Sequence, residues 1–359
     1  MKRMKMKFLI FTAIAIALAY PVYGQPCDCE RNFEWLRKTF EENDAGFQHI
    51  IDKRGQAAYE IHNQQILERI RNATTLTECV SIMNEWTRFF RIGHIAVRQL
   101  INEPAIYQSV PEWQQAISYL NPYLERLNET TLYLRIPSFV IGQKQAIDSV
   151  LAVNREKILT TKNLIIDLRD NDGGSDASFE KLLPFLYTNP IRTVGMEFLS
   201  TPYNNQLFLI AAEIPEFGEE QREMFLNFYN TLEGRLGEFV LFEEEVAIMQ
   251  LDTVYVFPKN VGIIINERVA STTEQFLLAA KQSKKVKLFG VTTLGALDIS
   301  NMNHIISPCG RFALGYGISR SLRIPGMAID DIGLQPDFFI DRTIPQDRWV
   351  EFVNDILNQ

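Results

Sequence analysis

Two stretches of this chain repeat one plan, a short apolar run that ends in a turn and passes directly into a helix, and this repetition limits the fold more than any other feature. The first runs Leu164-Ile165-Ile166-Asp167-Leu168, then Arg169-Asp170-Asn171-Asp172-Gly173-Gly174-Ser175-Asp176, with Phe179, Leu182, Leu183 and Leu186 following at helical spacing. The second runs Val261-Gly262-Ile263-Ile264-Ile265-Asn266, then Glu267-Arg268-Val269-Ala270-Ser271-Thr272-Thr273-Glu274, then Phe276, Leu277, Leu278, Ala279 and Ala280. Such runs, bounded by turn residues and lacking polar alternation, read as buried strands. Runs at 132–136 and 286–289 read the same way. Strands alternating with helices make this part of the chain α/β.

The preceding region has a different period. Phe33, Leu36 and Phe40 share a helical face, as do Ile66, Leu67 and Ile70, and then Val80, Met83, Trp86 and Phe90. Gly55 and the stretch 72–75 separate three expected helices. Pro104, Pro111 and Pro122 interrupt the chain after His94, so residues 25–130 are expected to form a small helical region and 131–359 the core, with the boundary near Glu129. Within the core, an insertion at about 191–258 carries a helical stretch at 221–232.

Both turns invite chemistry. A double glycine at a strand end lets backbone approach a ligand closely, and a turn entering a helix leaves amides without partners, which suits a developing oxyanion. The same residues also fit a plain β–α turn capped by Ser175 or Asp176. Ser271 stands where the second turn enters its helix and can act as a nucleophile beside a base. Ser271 with Glu274 equally fits a capping box that needs no catalysis.

The N-terminus reads as a basic stretch, an apolar run over 8–20 and Val22-Tyr23-Gly24 before Gln25, the layout of a signal peptide spanning 1–24. The run is shorter than the roughly 20 residues a membrane span needs. Gln25-Pro26 before Cys27 does not fit a lipoprotein signal, so a freely soluble exported protein, periplasmic or secreted, is expected. Cys27, Cys29, Cys79 and Cys309 then lie in an oxidising compartment. Their spacing selects none of the three pairings, and unpaired thiols are equally compatible.

Loss of Lys2, Arg3, Lys5 and Lys7 with the leader takes the formal net charge from −8 to −12, which argues against nucleic acid or an anionic membrane as partners. The stretch 213–245 holds ten Glu and two Arg, so most of that excess sits in the insertion and reads as a solvated face. The histidines, His49, His62, His94 and His304, are scattered, and no HExxH, CxxC pair or GxxxxGK[ST] occurs, so neither a metal nor a cofactor has sequence support.

Four pieces in order, Leu168-Arg169-Asp170-Asn171-Asp172-Gly173-Gly174, Ala270-Ser271-Thr272-Thr273-Glu274, Gly290-Val291-Thr292-Thr293-Leu294-Gly295 and Gly333-Leu334-Gln335-Pro336-Asp337, resemble the S41 family of serine peptidases. That family includes the C-terminal-processing and tail-specific proteases and their tricorn-core relatives. The resemblance covers roughly 131–342, with a weaker match at Arg91-Ile92-Gly93-His94. It implies a ClpP/crotonase-like β/α core, with Ser271 as nucleophile and an oxyanion hole from amides at Gly173, Gly174 and Thr272. One branch of the family places a lysine base where this chain has Ala296, and Lys281, Lys284, Lys285 and Lys287 lie elsewhere. The other branch uses an upstream histidine, which matches His94, and an acid near the last motif, which matches Asp330 beside Asp331. The serine that supports that histidine is Gly93 here. Only 36 residues separate His94 from Thr131, too few for a PDZ domain of roughly 80 to 100.

The resulting expectation is an exported serine-type peptidase acting on peptides or unfolded proteins through Ser271, His94 and Asp330. Two alternatives stay open: a peptide-binding protein that keeps the fold without turnover, because Gly93 and Ala296 depart from both base arrangements, and an ester hydrolase on the same fold.

Overall fold

The structure is a computed structural model and describes residues 27–100, 120–214 and 218–359. The expected leader at 1–24 and the proline-interrupted stretch at 101–119 lie outside the described residues.

The apolar runs belong to one six-stranded sheet. Its members are β2 (Tyr123–Arg126), β3 (Thr131–Arg135), β4 (Asn163–Asp167), β9 (Asn260–Ile265), β10 (Val286–Gly290) and β13 (Phe338–Phe339). They lie in the order β13-β10-β9-β4-β3-β2. All neighbours are parallel except β2, which pairs antiparallel with β3. Alternate residues serve the two faces. Leu164, Ile166, Ile263 and Ile265 pack toward a cluster with Phe276 and Leu277, while Ile165 and Ile264 pack toward Trp349, Val353 and Leu357 of the C-terminal helix Trp349–Asn358. Burial on both faces is why these strands read as unbroken apolar runs. Gly262 lets that helix come close, since a Cβ there would lie 2.8 Å from Val353 Cγ1.

A second, antiparallel sheet centres on the long β12 (Phe312–Ser321). One edge of β12 carries β11 (Ile299–Ile306). The other is shared by β1 (Ile95–Gln99), opposite 312–316, and β6 (Met196–Leu199), opposite 319–321. β7 (Phe239–Leu241) extends β6, and β5 (Ile191–Val194) pairs with β8 (Val246–Met249) as a separate ribbon.

Four helices cover this second sheet: α1 (Cys29–Asn43), α2 (Phe47–Arg54), α3 (Gln56–Asn72) and α4 (Leu76–Thr87). Three were expected. The additional break comes at 44–46, where the Asp44 carboxylate accepts the Gly46 amide and Gly46 abuts β11, a Cβ there meeting Ile299 Cγ1 at 2.8 Å. The breaks at Gly55 and at 72–75 fall between α2 and α3 and between α3 and α4.

The structure differs from the expected division in two further respects. The boundary near Glu129 falls inside the β2–β3 hairpin, because β2 is a largely exposed edge strand with no apolar run to announce it. The insertion packs with the N-terminal region rather than with the core alone: its helices Pro202–Ala212 and Glu219–Glu233 bury Leu207, Phe208, Phe225, Phe228 and Leu232 in the same cluster as Phe33, Phe40 and Trp86 of the N-terminal helices. Its acid-rich side, Glu219, Glu220 and Glu223, faces outward. Disulfides Cys29–Cys79 and Cys27–Cys309 tie α1 to α4 and the residues just before α1 to the β11–β12 turn.

Candidate active site

The carboxyl ends of β4 and β9 lie side by side in the parallel sheet, the usual place for a ligand in an α/β fold. Ser271 follows β9 and immediately precedes the helix Thr272–Ala280, with φ 56° and ψ −128°. A serine with positive φ is strained, and the surrounding bonds hold it there. Its amide donates to Ala296 O at 3.0 Å and to Glu274 Oε2 at 3.3 Å. Glu274, fully buried, also accepts Thr293 Oγ1 and the amides of Gly295 and Ala296 at 2.5, 2.8 and 2.8 Å. One half of the expected capping box is therefore formed, and the acid that forms it also fixes the loop after β10.

The Ser271 hydroxyl lies 3.1 Å from His94 Nε2. On the other side of the ring, Nδ1 lies 2.6 Å from Ile299 O, an acceptor, so Nδ1 carries the proton and Nε2 presents a lone pair to the serine. Burial holds the imidazole below the usual histidine range, opposed by the Asp330 carboxylate and assisted by the Arg91 guanidinium. The ring is thus neutral at pH 7.

His94 also has positive φ, 53°. Arg91 fixes its backbone. The guanidinium pairs with Asp44 through both terminal nitrogens, at 2.8 and 2.5 Å, donates from Nε to Gly93 O at 3.1 Å, and reaches His94 O at 3.0 Å. Arg91 and Asp44 are almost wholly buried, their side chains 2% and 0% exposed, so neither charge is tolerable without the other.

Asp330 acts on the far side of Ile299. Its carboxylate accepts the amides of Leu297 and Asp298, both at 2.6 Å, and of Ile299 at 3.1 Å. It reaches His94 through its charge and through the backbone segment whose carbonyl receives Nδ1–H. Asp331 is separate: its Oδ1 accepts the Ile92 amide at 3.0 Å, pinning the approach to His94.

The glycine strip lies against the serine turn. Gly173 and Gly174 have φ of +111° and +140°. A Cβ on Gly173 would stand 2.8 Å from Ser271 Cβ, and one on Gly174 would stand 2.3 Å from the Phe139 carbonyl carbon, so only glycine fits either position. Asn171 locks the strip: Oδ1 accepts the Gly173 amide at 3.1 Å and Thr273 Oγ1 at 2.7 Å, while Nδ2 donates to Ile136 O at 3.1 Å. The Gly173 amide is thereby engaged, leaving the amides of Gly174 and Thr272 as the donors without a protein acceptor among the described residues.

The model of Peptidase family S41 matches residues 130–340. The chain belongs to this family. Solved structures share its fold. Mature CPAF has a TM-score of 0.63 at 11% identity, covering 92% of this chain and 97% of that one. A peptidase-like protein of Parabacteroides merdae ATCC 43184 has a TM-score of 0.56 at 15% identity, covering 93% and 98%. A lipoprotein from Streptococcus agalactiae has a TM-score of 0.50 at 16% identity, covering 94% and 99%. No curated protein matches. The S41 fold is thus common to chains of very different sequence.

Two positions that depart from the S41 pattern prove to be neighbours. A Cβ built on Gly93 would lie 2.2 Å from Ala296 Cβ. A side chain at position 93 and the methyl group of Ala296 would therefore compete for one space. Sequence reasoning overlooked Asp44, Arg91 as a clamp, and Asn171 as a lock. Nothing in the spacing of Asp44 and Arg91 signals their pairing, whereas Asn171 lay within a motif already singled out.

Proposed function

We propose that this S41 protein is an exported serine-type peptidase with Ser271 as nucleophile and His94 as general base. The observation that carries the reading is the chain of contacts from Ser271 Oγ to His94 Nε2 at 3.1 Å and from His94 Nδ1 to Ile299 O at 2.6 Å. Nucleophile, base and a group that orients the base are the three parts such catalysis requires. Here the orienting group is a backbone carbonyl held by Asp330, which takes the place of a side-chain partner.

Ser271 Oγ attacks the scissile carbonyl carbon as Nε2 takes its proton. The carbonyl oxygen, now negative, meets the amides of Gly174 and Thr272. The imidazolium returns the proton to the leaving amine, and a water, deprotonated by the same nitrogen, releases the acyl group from the serine. Burial favours the neutral imidazole, which keeps the base competent at neutral pH.

Export rests on the leader-like sequence 1–24 and on the pairing of all four cysteines, which suits an oxidising compartment. A close hydroxyl–imidazole pair supports turnover over peptide binding alone. The test is labelling of the mature protein by a serine-reactive fluorophosphonate together with cleavage of casein-derived peptides and short-chain esters. Labelling and peptide cleavage that Ser271→Ala and His94→Ala both abolish are expected. Turnover unchanged in Ser271→Ala overturns the assignment, and ester cleavage without peptide cleavage moves it to an ester hydrolase.

A further inference from the structure

The proposed mechanism leaves unused a cavity that adjoins the supports of the base. It lies between α2 and the loop 324–332, has a volume of about 490 Å³, and is lined by neither Ser271 nor His94. That size falls within the range of small-molecule sites, roughly 300–1,000 Å³. Its apolar lining includes Ile50 of α2, Ile299 of β11, and Ile324 and Ile332 of the loop, the last of them 62% exposed. The wall formed by the loop is fastened to β11. The Asp298 carboxylate accepts the amides of Ile329 and Asp330 at 2.5 and 3.0 Å and pairs with Arg323 at 2.7 Å.

The charged residues along this cavity do not balance. Arg91 is committed to Asp44, and Asp298 to Arg323. Of the others, Asp52, Asp330 and Asp331 stand against Lys53 alone, and none of these four forms an ion pair among the described residues. His49, also on the lining, is held below the usual histidine range by burial and then by Lys53, so at pH 7 its ring is neutral and can accept a hydrogen bond. Covering the isoleucines removes apolar surface from water, and carboxylates without a counter-charge gain from an arriving cation. One molecule that does both is an ammonium on an apolar body. We propose that this cavity is a binding site for a small amphipathic amine, and that its occupancy slows the chemistry at Ser271.

The link to Ser271 runs through two residues of the lining. Ile299 O receives His94 Nδ1–H at 2.6 Å, and the Asp330 carboxylate accepts the Ile299 amide at 3.1 Å. His94 becomes an imidazolium as it takes the serine proton, and the charge of Asp330 favours that cation. An ammonium beside Asp330 offsets this help and raises the barrier. The binding half of the inference stands on the cavity alone, and the slowing rests on the hydrolase reading above.

The test titrates the mature protein at neutral pH with three probes on one skeleton, phenylbutylamine, phenylbutanol and phenylbutyrate, with binding followed by nuclear magnetic resonance. The amine is expected to bind about tenfold more tightly than the alcohol, and the carboxylate most weakly. Ala328→Trp, which places an indole on the cavity wall, is expected to weaken the amine by about tenfold while labelling by fluorophosphonate without amine stays at the wild-type rate. Asp331→Asn, which keeps an oxygen for the Ile92 amide, is expected to narrow the preference for amine over alcohol. Saturating amine is expected to slow labelling of the wild-type protein severalfold and to leave Ala328→Trp unaffected at the same concentration. Equal affinity for the three probes, or amine binding unchanged in Ala328→Trp, overturns the site. Amine binding that leaves the labelling rate of the wild-type protein unchanged overturns the coupling. Amine binding to a wild-type protein that never labels and never cleaves overturns the hydrolase reading and leaves the binding site standing.

Discussion

Ser271 and His94 come from sheets of different construction. The sheet behind Ser271 has five mutually parallel strands, β3, β4, β9, β10 and β13, and its turns run from strand to helix within a few residues. The sheet that carries His94 is antiparallel and joins β1, β6, β7, β11 and β12, drawn from residues 95 to 321. Its parts are held by a buried ion pair spanning 47 residues and by disulfides spanning 50 and 282. The geometry at Ser271 is therefore set by local chain chemistry, and the position of His94 by contacts distant in sequence.

The sharpest way to break this comparison is to remove one group from each side. Ser271→Ala and His94→Ala should each lower kcat by about four orders of magnitude or more, with far-UV circular dichroism unchanged, because groups that act as a unit fail together. A much smaller loss in His94→Ala would mean that the antiparallel half contributes no base.

Next in size is the clamp on the base. Arg91→Met should cost about 3–5 kcal/mol in urea denaturation by stranding Asp44. Arg91→Met combined with Asp44→Leu should recover much of that stability. It should still show reduced kcat, since the Gly93 and His94 carbonyls remain without their donor. Full recovery of both would reduce Arg91 to a structural role. Replacing Cys29 and Cys79 by serine should cost about 2–4 kcal/mol and lower Tm with little change in peptide specificity, which a denaturation series and a substrate panel would show.

Smaller effects test finer contacts. Gly93→Ala should cost about 1–3 kcal/mol through its clash with Ala296, and Ala296→Gly in the same chain should relieve most of it. Additive losses would separate the two positions. The acid limb of kcat/KM should lie below the usual histidine pKa of about 6.5, because the base works unprotonated and burial lowers its pKa. Asp330 opposes that shift through its charge, so Asp330→Asn should move the limb to still lower pH. A limb that rises instead would contradict the electrostatic coupling.

Legibility followed the same division. Apolar runs bounded by glycine and asparagine mark β4 and β9, and the double glycine and the serine before a helix mark their turns, because each feature lies within about ten residues. Strand β2 escaped notice because an exposed edge strand needs no apolar face. The helix break at 44–46 escaped because Gly46 packs against Ile299, far along the chain. The insertion's charge reads as a solvated face because it is conspicuous in the sequence, whereas Phe208, Phe225 and Phe228 reveal their partners only when packed.

By itself the sequence determined the α/β core, the serine turn and the glycine strip, since period, turn chemistry and positive-φ glycine are local properties. It also narrowed the candidate base to one histidine. Only the tertiary structure decided that His94 meets Ser271, that a backbone carbonyl held by Asp330 orients the ring, and that Gly93 and Ala296 share one space. Those outcomes depend on side chains from different sheets arriving at the same few ångströms, and no spacing along a chain encodes that distance.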